Sequence, residues 1–244
     1  MRLRKIFICL LISILLAPSA VMAQKDKSLW APNPNPSKYF LGPTAIPMEK
    51  GTGYYQNSDI LFNEAYYGFT NWFSMGVGFE FLSTFLTMAN PPFRPIVLAN
   101  PKVAFRLGDK FYAGVSGLYI NATVFNDKNT AKMEGTFGVV MGQVTYGTIE
   151  NNLTAGIAYG YTWDGIADKP VFTLGGSWRA TKRMGLITED YFVPKSGGSF
   201  YPVFMYGMRF IGEKMCFDLA FINTTDIMKV DIIGIPYIGL TVNF

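Results

Sequence analysis

Histidine is missing from all 244 residues of the chain. General-base chemistry near neutral pH most often runs through an imidazole, and triad-type nucleophiles depend on one, so those mechanisms have no residue to run on. Cysteine occurs twice, as Cys9 and Cys216. Without imidazoles or clustered thiolates a zinc site has no ligands, which leaves carboxylates, a set suited at most to Ca²⁺ on loops. Charged residues are sparse at 16% against 50% hydrophobic, yet beyond the first segment no window holds the ~18 uninterrupted apolar residues of a spanning helix. Phosphate-cradling loops of the GxxxxGK[ST] or GxGxxG kind are missing too, so no cofactor is expected.

The chain opens with the basic head Met1-Arg-Leu-Arg-Lys5, the apolar run Ile6 to Ala17, and Pro18-Ser-Ala-Val-Met-Ala23. That order is a secretory signal with cleavage expected after Ala23, and the apolar run is too short to span a membrane. Cys9 leaves with it, and Cys216 alone cannot form an intramolecular disulfide. Loss of Arg2, Arg4 and Lys5 also brings the formal charge of +4 close to neutrality, so the basic excess is no sign of a nucleic-acid partner. The expected division is a signal peptide at 1–23, a Pro/Asn-rich lead-in at 24–37 and one all-β domain at 38–244.

Segments of about 8–12 residues with period-2 alternation recur from there on. Short turns are expected at Thr70 to Trp72, Gly108 to Lys110, Thr148 to Asn152, Thr181 to Arg183 and Gly212 to Lys214. Longer connections are expected at Pro47 to Gly53, Ser83 to Pro95, Asn126 to Gly135, Asp164 to Pro170, Pro194 to Ser199 and Asn223 to Asp231. Together they join about twelve strands, with ten or fourteen also compatible, and place both ends of the wall on the short-turn side. The first strand is read as Tyr39 to Ala45, with Pro43 inside it. Faces such as Phe73, Met75, Val77, Phe79 and Phe81 against Ser74, Gly76, Gly78 and Glu80 predict lipid outside and a narrow lumen inside, a closed antiparallel up-and-down transmembrane β-barrel. A sheet with one buried and one wet face alternates in the same way, so a secreted β-sandwich is the competing reading.

The last eight residues, Tyr237 to Phe244, alternate strictly and stop on an aromatic residue. This resembles the closing strand of Gram-negative outer-membrane barrels. The resemblance implies an outer-membrane location, lipid contact, and Phe244 as a signal read by the barrel-assembly machinery. Asn33-Pro-Asn-Pro-Ser-Lys-Tyr-Phe40, Gly42-Pro-Thr-Ala45 and Lys50-Gly-Thr-Gly-Tyr-Tyr-Gln-Asn57 resemble the start of uncharacterised outer-membrane barrels from Bacteroidota, a likeness of about thirty residues that brings no catalytic residue with it. Barrel phospholipases, omptin proteases and lipid A deacylases use a histidine, so the chain is expected not to be an enzyme.

Glu189 and Asp190 are adjacent, so alternation puts them on opposite faces and they cannot form one catalytic dyad; the inward one is expected in a lumen ion pair. The charges expected to face the lumen are Glu80, Lys102, Arg106, Arg179, Arg209 and Asp218, with Glu64 beside them. Arg106, Arg179 and Arg209 lie near short turns, and a two-residue turn at Glu213-Lys214 sets Arg209 opposite Asp218. Two functions follow. One is a narrow passive channel for small solutes, given a mild anion preference by the arginines. The other is a closed structural or adhesive barrel, plugged by side-chain ion pairs and acting through its loops. The loop Ser83 to Arg94 is the longest and most apolar. It could fold inward, extend the strands above the membrane, or form a sticky patch.

Overall fold

A computed structural model describes residues 30–89, 95–125, 131–195, 197–229 and 233–244. The signal sequence therefore lies outside the described residues. The wall consists of β1 (Gly53–Ser58), β2 (Phe62–Gly68), β3 (Phe73–Glu80), β4 (Val97–Arg106), β5 (Phe111–Phe125), β6 (Ala131–Gly147) and β7 (Asn152–Thr162). A two-residue strand, β8 (Gly165–Ile166), folds back on β7 within the following loop. The wall then continues through β9 (Val171–Thr181), β10 (Met184–Pro194), β11 (Phe200–Ile211), β12 (Met215–Thr224) and β13 (Ile235–Asn243). Each of the twelve long strands pairs antiparallel with its neighbours, and β1 pairs with β13, so the sheet closes. Closure leaves no unpaired edge, which is the condition for a sheet to cross a bilayer.

The outer surface is apolar. Val77, Val115, Val140, Ile157, Phe172 and Phe217 all point away from the lumen and are exposed. The inner face carries Gln56, Gln143, Thr145, Thr154 and Thr241, all buried. Such an inside-out pattern excludes the sandwich, whose buried face would be the apolar one. At the short-turn end Trp72 stacks on Phe105 with ring centroids 6.2 Å apart, and Phe210 approaches Phe217 at 6.3 Å, the positions of an interfacial aromatic girdle. Tyr66 and Tyr112, by contrast, are buried in the lumen.

The total of twelve agrees with the sequence reading, but the first strand differs. Residues 39–45 are not part of the wall; the segment read as one long second strand is instead the hairpin β1–β2. The segment from Pro47 to Gly53, expected as an outer loop, lies at the short-turn end, where Gly51 N and Gly68 N exchange backbone hydrogen bonds with Gly68 and Thr52 at 2.8 and 2.9 Å. Its place in the loop count is taken by a tight turn at Asp59 and Ile60, both with positive φ, 52° and 67°. Primed turns normally carry Asn-Gly, which explains why the turn was invisible in the sequence. A β-branched residue there is strained, and β13 holds it: Asp59 N donates to Ile238 O at 2.8 Å and Asp59 Oδ1 accepts from Ile238 N at 2.9 Å. Ile60→Gly is therefore expected to stabilise the barrel by about 1 kcal/mol, measured as a higher urea midpoint for the refolded protein.

At the opposite end, β3 runs into a short helix, α1 (Phe81–Ala89). Glu80 caps it, its two carboxylate oxygens accepting from Leu82 N and Ser83 N at 2.7 and 2.6 Å. Phe81 and Phe85 stack along the helix at 6.0 Å and are both exposed. Of the three conformations open to this apolar loop, the described part is a helix on the rim. Residues 90–94 and 126–130 lie outside the described residues.

Candidate functional site

The segment before β1 occupies the lumen. Pro34, Pro36 and Pro43 supply no backbone donor, so this stretch cannot take a central place in a ladder. It folds instead as a miniature hairpin inside the barrel. Lys38 and Pro43 bridge, Tyr39 N donates to Gly42 O at 2.9 Å, and Thr44 N donates to Ser37 O at 3.0 Å. Its tip, 39–42, points away from the short turns, and both arms return to that end.

Charged residues of the wall clasp this plug from several sides. Arg209 and Asp218 stand opposite each other on β11 and β12, joined by Nε to Oδ1 at 2.8 Å and Nη2 to Oδ2 at 2.9 Å. The same guanidinium donates to Asn35 O and Tyr39 O, both at 2.7 Å, so its fork is filled by one carboxylate and two plug carbonyls. Glu189 does the converse: its carboxylate accepts from three consecutive plug amides, Phe40, Leu41 and Gly42, at 2.9, 3.0 and 2.6 Å, and from the Tyr191 hydroxyl. Lys102 donates to Ser37 O at 3.0 Å and Ile46 O at 2.7 Å, tying the two arms together. Lys38, on the plug, pairs with Glu64 of β2 at 3.2 Å and reaches the Tyr66 hydroxyl at 3.0 Å. Arg179 pairs with Glu150 at 2.7 Å, donates to Ala31 O at 2.9 Å and lies over the Trp30 ring.

Neutral contacts complete the circumference. Tyr39 donates its hydroxyl to Asn152 at 2.6 Å, Ala45 N donates to Thr145 Oγ1 at 2.8 Å, and Asn243 Nδ2 donates to Pro34 O at 2.9 Å. Phe40 packs with Ile187, Met205, Ala220 and Tyr237 in the main apolar cluster, and Ala45 and Ile46 meet Tyr112 on the far side. Contacts to β1, β2, β4, β6, β7, β9, β10, β11 and β13 mean that the plug bridges the lumen rather than lying along one wall.

One wall glycine makes room for it. A Cβ on Gly175 would stand 2.3 Å from the Tyr39 ring, with no positive φ to forbid the side chain itself. Gly175→Leu is thus expected to leave the β9–β10 ladder intact while ejecting the tip of the plug. Limited proteolysis with trypsin should then cut after Lys38, a bond buried in the parent protein.

The candidate lumen residues divide into three groups. Lys102, Arg179, Arg209 and Asp218 all face inward and all hold the plug or its immediate support. Glu80 faces inward at the far rim but serves the α1 cap. Arg106 is exposed at the short-turn rim, folded onto its own turn through Gly108 O at 3.0 Å and a bridge to Asp109 at 3.5 Å; its position at the last residue of β4 lets the side chain swing out to water. The inward member of the acidic pair is Glu189, bonded to amides rather than to a cation, while Asp190 lies on the other face, buried and accepting from Thr188 Oγ1 at 3.3 Å. Glu150, Lys38 and Tyr66 were not anticipated in this role, although a Pro-rich stretch carrying Asn33, Asn35, Ser37 and Lys38 immediately before a barrel is a polar signature that a lipid-facing strand would not carry.

Beyond the plug tip the lumen opens into a cavity of about 490 Å³. Its floor is formed by Lys38, Leu41 and Pro43, with Lys102 and Asn100 on one side. Its upper wall is apolar, formed by Leu118, Val139, Met141, Val171, Val193 and Val203. Val171, Val193 and Val203 lie near the long-loop ends of their strands, so the cavity reaches toward that end while the plug bars the other.

A closed, plugged, up-and-down β-barrel with an apolar outer surface defines a transmembrane β-barrel. Among solved structures the chain is similar to OmpTdeltaL8, a loop-deletion mutant of the Vibrio cholerae outer-membrane protein OmpT, at 10% identity over 75% of this chain and 62% of that one, with a TM-score of 0.39. It is also similar to the Acinetobacter baumannii outer-membrane protein Omp33, at 12% identity over 79% of this chain and 95% of that one, with a TM-score of 0.40. No family model matches the chain, and no curated protein does. The likeness of residues 33–57 to Bacteroidota barrels stays a resemblance.

Proposed function

We propose that the protein is a gated channel of the bacterial outer membrane, taking up a small solute from its long-loop end and passing it only when the plug yields. The observation that carries this reading is the ionic character of the clasp. A segment meant only to fill space is held at least as well by apolar side chains, because desolvation largely cancels the gain from buried ion pairs. Here most of the anchors of Lys102, Glu189 and Arg209 are charge-to-backbone bonds, which water or a polar ligand can take over, and the plug gives Tyr39, Phe40, Ala45 and Ile46 to the apolar clusters. The passive, arginine-filtered pore expected from the sequence is revised accordingly: Arg179 and Arg209 hold the plug and are not lining an open path. The reading is non-enzymatic, since Glu189, the one buried inward acid with a strand neighbour of like charge, is saturated by amide donors. Outer-membrane location is supported by the apolar outer band and the aromatic girdle, with lipid and the assembly machinery as partners and Phe244, paired through its amide to Gly53 O at 3.0 Å, closing the seam.

The test is single-channel recording of the refolded protein in planar bilayers. Rare, brief openings from a closed baseline are expected. A steadily open pore would overturn gating, and a protein that remains a soluble monomer without detergent would overturn the membrane assignment.

A further inference from the structure

Most buried charges of the lumen have an opposite charge beside them: Lys38 has Glu64, Arg179 has Glu150, and Arg209 has Asp218. Lys102 has none among the described residues. It is buried, its ammonium has three donors, and its two bonds go to the neutral carbonyls of Ser37 and Ile46. Glu189, which balances the count of charges, is engaged by three amides and a hydroxyl and makes no bridge to it. A second donor lacks an acceptor close by. Ser116 is the register partner of Lys102 and donates to Gln143 Oε1 at 3.2 Å, and the amide nitrogen of that glutamine is buried without any hydrogen bond. Lys102 and Ser116 both line the cavity, where Leu118, Val139, Met141 and Val203 form an apolar stretch of wall beside the polar Tyr66, Asn100, Thr173 and Tyr191.

A buried cation lacking an acid asks for an anion. The apolar wall asks for a hydrocarbon body, in a lumen where polar side chains are the rule. The cavity volume of about 490 Å³ falls in the usual range for small-molecule sites. We propose that the cavity binds an amphiphilic monocarboxylate, its carboxylate on the Lys102 ammonium and its chain or ring against Leu118, Val139, Met141 and Val203. This deepens the gated-channel reading by naming its solute class. It also supplies a trigger, because a carboxylate on Lys102 competes with Ser37 O and Ile46 O for the ammonium and so weakens two of the bonds that hold the arms of the plug.

The probe is octanoate, titrated calorimetrically into the full-length barrel in nanodiscs, with octanol and octylamine as controls for partition into lipid. Saturable octanoate binding is expected, with no saturable octylamine binding, and Lys102→Gln should weaken octanoate by about tenfold or more, the value of a charge-assisted hydrogen bond. Lys102→Arg keeps the charge and should stay within a few-fold of the parent. Val139→Phe leaves every plug contact in place and should weaken octanoate by filling the apolar wall. Equal affinity in the parent and Lys102→Gln, or saturable octylamine binding, would overturn the proposal, and so would an unaffected Val139→Phe. Binding without any change in conductance would leave the site standing and sink the channel; gating without binding would do the reverse.

Discussion

Deletion of residues 33–46 is expected to convert a mostly closed barrel into a steadily conducting one, with mean current in planar bilayers rising by about an order of magnitude or more. The wall does not need those residues to close. Its seam is the β1–β13 ladder, from Tyr54 opposite Asn243 to Ser58 opposite Gly239, and all its hairpins lie after residue 52. Twelve strands fall between eight-stranded barrels, whose side chains fill the interior, and open porins, so the lumen left behind is wide enough for water. Arg209, Lys102 and Glu189 would then face that water, which replaces the lost carbonyls and amides. An unchanged, silent trace from a protein that still shows β-type circular dichroism would mean that another part of the lumen blocks it. That outcome would favour the closed structural barrel over the gated channel. The selectivity of the opened pore is informative as well: with Arg209 and Lys102 released from the plug carbonyls, anion preference should appear in the deletion variant, which is where an arginine of the sequence reading would finally act as a filter.

Membrane topology was legible because its signal is repeated. A face such as Leu153, Ala155, Ile157, Tyr159 and Tyr161 obeys the same period-2 rule as Phe172, Leu174 and Trp178, and one misread strand does not disturb the rest. The plug was not legible because it shares that signal over a short span. Tyr39 to Ala45 carries two aromatics and small residues like a wall strand, and a single Pro43 is as compatible with a strand end as with a segment outside the wall. The compensating difference, two strands read as one at Tyr54 to Gly68, arises from the turn at Asp59 and Ile60, where β13 holds backbone angles that local sequence disfavours. For the lumen, alternation puts Lys102, Arg179, Arg209 and Asp218 on one side of the wall. It could not tell what they point at, since a plug carbonyl and open water both accept a hydrogen bond from the same guanidinium. Distances along the chain explain the rest: Arg209 meets Asn35 and Tyr39 174 and 170 positions away, and nothing local encodes that meeting.

Arg209→Ala is expected to destabilise the barrel by about 3–5 kcal/mol, read from urea unfolding of the refolded protein in lipid or detergent, because it strands Asp218 as a buried, unpaired charge. Asp218→Ala should fall in a similar range by stranding the guanidinium, although the plug carbonyls of Asn35 and Tyr39 retain two of its donors and should soften the loss. The double variant removes both charges together, so its effect should be smaller than the two single effects combined, with a coupling of about 0.5–3 kcal/mol. Arg209→Lys distinguishes charge from geometry. An ammonium can still pair with Asp218 but cannot fork between a carboxylate and two carbonyls, so it should restore much of the wall's stability while leaving the plug loose. Faster hydrogen exchange at Phe40, Leu41 and Gly42 in the lysine variant, with protection of β11 and β12 preserved, would show that one guanidinium serves both wall and gate. Simple additivity of the alanine variants would mean that the pair at 2.8 Å contributes nothing as a pair, and the charged hold on the plug would then come from Glu189, Lys102, the Lys38–Glu64 pair and Arg179.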